Sequence, residues 1–195
     1  MQAWLGLVAF SFVSSVTPGP NNLMLWASGA AFGLRRTIRH VLGTAIGIGA
    51  MALGAAAGLA ALVAALPWLG VAMRVAGSAY LLWLAWQITR AGAVREGTVG
   101  RPLGVVAAAS FQIANPKAWI FALGAVTAFR PPDLPPATGT LVMASTMAAI
   151  VVPSALAWAA VGGTMAGLLA SERTRRPVAA VLAALVVATV VLVWV

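Results

Sequence analysis

The 195-residue chain has no cysteine, one histidine (His40), one tyrosine and three acidic residues, Glu96, Asp133 and Glu172. Without cysteine there is no disulfide framework, no thiol redox chemistry and no thiolate zinc site, and one histidine with three scattered carboxylates offers no metal-ligating cluster. Charge is scarce overall. Only 8% of residues are charged and 62% are hydrophobic, against roughly 25% and 45–50% in soluble domains, so this composition cannot cover itself with a water-compatible surface. An integral membrane protein remains. Twelve Lys and Arg give a formal net charge of +9, which in a soluble chain would suggest nucleic acid; in a membrane chain the bases are read first as topology signals.

A helix needs about 20 apolar residues to cross roughly 30 Å of hydrocarbon. Six such segments are present, near Trp4–Ala31, Val41–Leu66, Trp68–Ile88, Leu103–Phe129, Gly139–Ala170 and Pro177–Val195. None alternates apolar and polar residues as a lumen-facing strand does, which excludes a β-barrel. The first segment is too long for a cleavable signal and Met1-Gln2-Ala3 carries no base. The expectation is an all-α integral membrane fold, one transport domain over residues 1–195.

Bases beside the segment ends set orientation, because Lys and Arg stay on the cytoplasmic side. Arg35, Arg36 and Arg39, then Arg90, Arg95 and Arg101, then Arg173, Arg175 and Arg176 fall in three connections that share one side. Arg130 lies opposite, and Arg74 reads as a snorkelling side chain. Both termini are therefore expected outside. The Arg clusters read as topology determinants with anionic-lipid contact rather than as catalytic groups.

An odd number of crossings per half makes the two halves inverted repeats, 1–98 and 99–195. Each half interrupts its first segment with proline: Thr17-Pro18-Gly19-Pro20-Asn21-Asn22 in the first, Asn115-Pro116-Lys117 in the fourth. Both breaks fall at segment midpoints, hence at the membrane centre. Proline removes a helix hydrogen bond, so the carbonyls of Ser14, Val16 and Gln112 lose their usual partners, at a cost of about several kcal/mol each in hydrocarbon unless something polar covers them. One such proline reads as a kink; two at matched depth, each beside Asn, read as a binding site. The restarted half-helices begin like fresh helices, Asn115 capping Pro116 and Gly19-Pro20 leading into Asn21 and Asn22. With inverted repeats both of these electropositive ends point inward and favour an anion, joined by Lys117 at a depth from which it cannot easily reach water; the alternative is a structural Lys117 bonded to the opened carbonyls.

These segments, with Gly29-x-x-x-Gly33 and Gly43-x-x-x-Gly47, resemble the signatures of the LysE/RhtB superfamily of bacterial inner-membrane amino-acid exporters. The resemblance covers the whole chain. It implies two inverted three-helix repeats, the two motifs surrounding the substrate, and export of a small amino acid, typically driven by the proton gradient, with no cofactor. Carried over by position, Asn21, Asn22, Asn115, Lys117, Ser14 and Gln112 become substrate-binding residues, with Thr17, Pro18, Gly19, Pro20 and Pro116 shaping the helix breaks. Lys117 would take the substrate carboxylate. Asn oxygens and the freed carbonyls of Ser14, Val16 and Gln112 would take its amino group. Some relatives have Asp where this chain has Asn, and no acid lies in a membrane segment here. That disfavours cationic substrates and leaves three routes for coupling: a proton released by Lys117, a proton carried by His40 near the cytoplasmic end, or passive transport.

Other features read as structural. Gly43, Gly47, Gly54 and Gly58 line one face of the second segment and suit close helix packing or a homodimer interface. His40 reads as an interfacial helix-end residue, Pro153 and Gly162-Gly163 as a bend or interfacial turn, and Trp4, Trp68 and Trp194 as interface anchors. A passive small-solute channel built on paired Asn-Pro half-helices is the alternative function. An intramembrane enzyme would need a partner to activate Ser78, and none is placed for it.

Overall fold

The computed structural model describes residues 2–91, 101–131, 133–169 and 171–194. Arg95 and Glu96 lie outside the described residues, as do the side chains of Tyr80, Arg90, Glu172 and Arg175. The described residues form helices and no strand. The first expected segment is two helices, α1 (Gln2–Val16) and α2 (Pro20–Phe32), and the fourth is likewise two, α6 (Val105–Ala114) and α7 (Pro116–Ala128). Both divisions fall at the prolines, where the missing N–H and the ring forbid a continuous turn.

The second expected segment starts earlier than its apolar run. Gly33, at φ +77°, reverses the chain in one residue, so α3 (Leu34–Gly54) follows α2 with no loop. Arg35, Arg36 and Arg39 therefore sit exposed on the first turns of α3 rather than in a connection. A wide turn over Ala55–Leu59, opened at Gly58 (φ +131°), leads into α4 (Ala60–Ala65). Then come α5 (Pro67–Ala91), α8 (Pro136–Leu169) and α9 (Glu172–Trp194). The 34-residue α8 continues without interruption through Pro153 and Gly162-Gly163, so the turn expected there is absent. Arg173 and Arg176 belong to the start of α9, not to a loop. Leu34–Gly58 and Pro136–Met165 are each long and apolar enough to cross a membrane.

The main apolar core joins α1, α3, α7 and α8 through Leu7, Ile48, Met51, Phe121, Met143 and Met147. A second cluster sets Leu23 and Trp26 of α2 against Leu81 of α5 and Leu182 and Val186 of α9. Outward faces stay apolar, with Val106 79%, Leu5 66% and Ile113 64% exposed. In water such a surface would aggregate; against lipid it costs nothing.

The closest crossing is α2 on α8. A Cβ at Gly29 would fall on the carbonyl of Ala159, and one at Gly162 on the carbonyl of Trp26, so only glycine lets these backbones touch. Gly43 and Gly47 likewise receive α6, whose Val105 carbonyl and Gln112 side chain fill the space a Cβ would need. Gly43 and Gly47 thus serve close packing within the chain, while Gly54 and Gly58 face open space. Ser78, the conceivable nucleophile, is buried and accepts a hydrogen bond from Trp194 Nε1 at 2.9 Å.

Candidate functional site

The break between α1 and α2 leaves a series of carbonyls without helical partners, and most find one nearby. The last helical bond runs from Thr17 N to Val13 O (3.1 Å), and Thr17 Oγ1 donates to Ser14 O (3.1 Å). Ser15 O accepts from Asn22 Nδ2 at 2.7 Å and from Ser154 Oγ at 2.8 Å, and Val16 O accepts from Trp158 Nε1 at 3.2 Å. Gln112 O, opened by Pro116, accepts from Asn115 N at 3.1 Å. The three carbonyls expected to await a substrate amino group are thus already bonded, because a polar group left bare at this depth is costly.

Thr17 O and Pro18 O come next in the chain. Asn22 Nδ2 reaches Thr17 O at 2.9 Å. Lys117 Nζ, from the other broken helix, donates to both Thr17 O and Pro18 O, the latter at 3.2 Å. Its methylenes lie over Gly19, where a Cβ would come within 2.6 Å of Lys117 Cδ. One ammonium therefore ties together two breaks about a hundred residues apart. In this conformation it is engaged with carbonyls, not free for an anion as the sequence suggested.

The two helix restarts differ in their caps. Asn115 Oδ1 accepts from Lys117 N at 3.2 Å and closes the start of α7. Gly19 occupies the same position before α2 and has no side chain to cap it. Asn21 Oδ1, in the first turn of α2, accepts from Gln112 Nε2 (2.8 Å) and Thr44 Oγ1 (3.1 Å), with His40 Nε2 at 3.3 Å. Gln112 Oε1 accepts in turn from Asn115 Nδ2 at 3.3 Å. An amide oxygen can only accept, so the contact to His40 requires the proton on Nε2, and among the described residues its buried Nδ1 has no partner. The Asn21 oxygen is likewise taken by internal donors.

These groups surround a cavity of about 40 Å³ lined by Ser14, Gly19, Asn21, Asn22, Gln112, Asn115 and Lys117, with Ser15, Thr44 and Ser154 among the remaining walls. Every side chain named from the sequence as substrate-binding lines this one space. About three waters fit such a volume, and an amino acid does not. Thr44 and Ser154, which carry no motif, also face this space, and His40, expected at an interface, is 1% exposed and joins the network. The signal was there: Thr37, His40 and Thr44 recur every three to four residues along α3, a buried polar stripe on an apolar helix.

The LysE type translocator family model matches residues 12–195, which span both breaks and every helix from the end of α1 onward. The chain belongs to this family. Among curated relatives of this LysE-type translocator, a cysteine/O-acetylserine efflux protein of Klebsiella pneumoniae subsp. pneumoniae is 29% identical over 155 residues, covering 80% of this chain and 79% of the relative. Proteins of the same name from Salmonella choleraesuis and Salmonella typhimurium are each 30% identical over 131 residues, 64% of either chain. No solved structure matches it. Membership makes the LysE-type chain an integral membrane transporter rather than an enzyme.

Proposed function

We propose that this translocator is a secondary exporter of a small neutral amino acid or related zwitterionic metabolite across the bacterial inner membrane, working by alternating access. The observation that carries the reading is the meeting of two broken helices, joined by Lys117, at one cavity whose walls gather their asparagines, Gln112 and Ser14. A broken helix supplies both ends a zwitterion needs. The last carbonyls of α1 form an electronegative end suited to an ammonium, and the uncapped start of α2 forms an electropositive end suited to a carboxylate. Lys117 stands beside the second as a further carboxylate ligand.

Asp133, in the connection between α7 and α8, is the one acid with a described side chain, so no described carboxylate in a spanning helix balances a cationic substrate. The relatives named for cysteine and O-acetylserine efflux agree with a neutral substrate. Two related halves over 1–98 and 99–195, inverted by their odd number of crossings, are compatible with the helix packing, in which some contacts come in mates. α3 lies on α6 as α8 lies on α1, α2 lies on α8 as α7 lies on α3, and α3 with α8 and α5 with α9 pair across the halves. In that frame the Arg35, Arg90 and Arg173 clusters lie in the cytoplasm and both termini outside. The present cavity is too small for a substrate, so loading requires one repeat to move against the other.

The test is flux from proteoliposomes of the purified full chain preloaded with cysteine, O-acetylserine, homoserine or threonine. Saturable efflux, stimulated by the same solute outside, is the expected result, and an imposed proton gradient separates coupled from facilitated export. Linear, unsaturated flux would establish the passive channel instead.

A further inference from the structure

We propose that the carbonyl oxygens of Thr17 and Pro18 form an ammonium subsite, held by the Lys117 side chain when the carrier is empty and taken over by the α-ammonium of the substrate when it is loaded. This rests on the zwitterion reading above and assigns its cationic half. The Ser14, Ser15, Val16 and Gln112 carbonyls are bonded by neutral amide, hydroxyl or indole donors of limited reach. Thr17 O, which also accepts from Asn22 Nδ2 at 2.9 Å, and Pro18 O differ in receiving a charged donor from the opposite half of the chain. They sit just past the last residue of α1, at the negative end of its dipole, where a cation is favoured.

The lysine ammonium and an α-ammonium are the same ligand chemically, one positive charge with three N–H donors, and carbonyl oxygens can only accept. The exchange therefore leaves these oxygens with a cation in both states, as the dry interior requires. Lys117 is built to leave. Its side chain is a flexible stem lying across Gly19, and no carboxylate holds it among the described residues. Released, it stands at the wall of the same cavity, ready for the carboxylate of the arriving zwitterion. With its ammonium on the carbonyls the cavity has room for waters alone.

Lys117→Met keeps the length of the side chain and removes the ammonium from Thr17 O and Pro18 O. For this full-length variant in detergent, saturating methylammonium is expected to raise the melting temperature by about 3 °C, as a ligand bound only to the folded state does. Tetramethylammonium, which has no N–H, is expected to leave it unchanged, and the wild type, in which methylammonium has first to displace Lys117, is expected to shift by clearly less than the variant. Equal responses of variant and wild type, or of the two salts, overturn the proposal. Should the variant not fold, the wild type decides by another measurement. Lys117 is the single lysine in the chain, so [¹³Cε]lysine labelling gives one resonance, expected to shift when high methylammonium, but not tetramethylammonium, competes for the carbonyls; an unmoved resonance overturns the subsite. Neither measurement involves amino-acid flux. A wild type that exports no amino acid would defeat the exporter reading, while these two results would still decide the ammonium subsite.

Discussion

Gln112→Leu is the sharpest probe of how the two broken helices are held in register. Gln112 is 1% exposed and makes three side-chain hydrogen bonds: Nε2 to Asn21 Oδ1 at 2.8 Å and to Ala108 O at 3.1 Å, and Oε1 from Asn115 Nδ2 at 3.3 Å. Leucine fills a similar volume and makes none of them. Interhelical hydrogen bonds in membranes average about 0.6 kcal/mol and reach about 1.7. Leaving the Asn115 amide without its side-chain partner adds about 1–3 kcal/mol, and the apolar gain of leucine offsets roughly 1 kcal/mol. The net is about 2 kcal/mol, or a melting temperature lowered by about 4–8 °C for a chain of this size. Thermal unfolding followed by tryptophan fluorescence in detergent measures it. The decisive comparison adds Asn21→Leu. The two residues share a bond, so the double variant should lose less than the sum of the singles, with a coupling of about 0.5–3 kcal/mol. Strict additivity, or a Gln112→Leu melting temperature within 1 °C of wild type, would refute the network as the link between α2 and α6.

Gly162→Ala places a methyl on the Trp26 carbonyl and must part α2 from α8, a strain of about 1–3 kcal/mol that should also reduce export. Gly54→Ala, with nothing within 4 Å of the new carbon, should leave stability within about 0.5 kcal/mol; equal effects of the two would dismiss the close crossing. Asn115→Ala removes the oxygen that caps α7 and should cost about 1 kcal/mol by the same unfolding measurement, with an unchanged value counting against the cap.

Local chemistry made much of this protein legible. Proline removes a helix hydrogen bond, and where it stands beside glycine or asparagine the helix stops, so Pro18, Pro20 and Pro116 announced two breaks and Asn21, Asn115 and Lys117 announced polar company for them, whereas Pro153, without such neighbours, is carried inside α8. The structure divides the helices at those places. The start of α3 was less legible. It depends on Gly33 adopting a positive φ, whereas the apolar run begins only after the arginines.

Which partner each polar group takes was decided by tertiary structure alone. A carbonyl freed by proline is equally open to a ligand, a lysine or a neighbouring serine, and nothing along the chain says that Ser154 and Trp158 of α8 lie beside it. Glycine spacing likewise marked faces that tolerate close approach without naming the visitor, which for Gly43 and Gly47 is α6 and for Gly29 is α8. Composition and proline placement act within a few residues and so are written in the sequence. The choice among equivalent hydrogen-bond partners is settled by which helices happen to be adjacent, and adjacency exists only once the chain has packed.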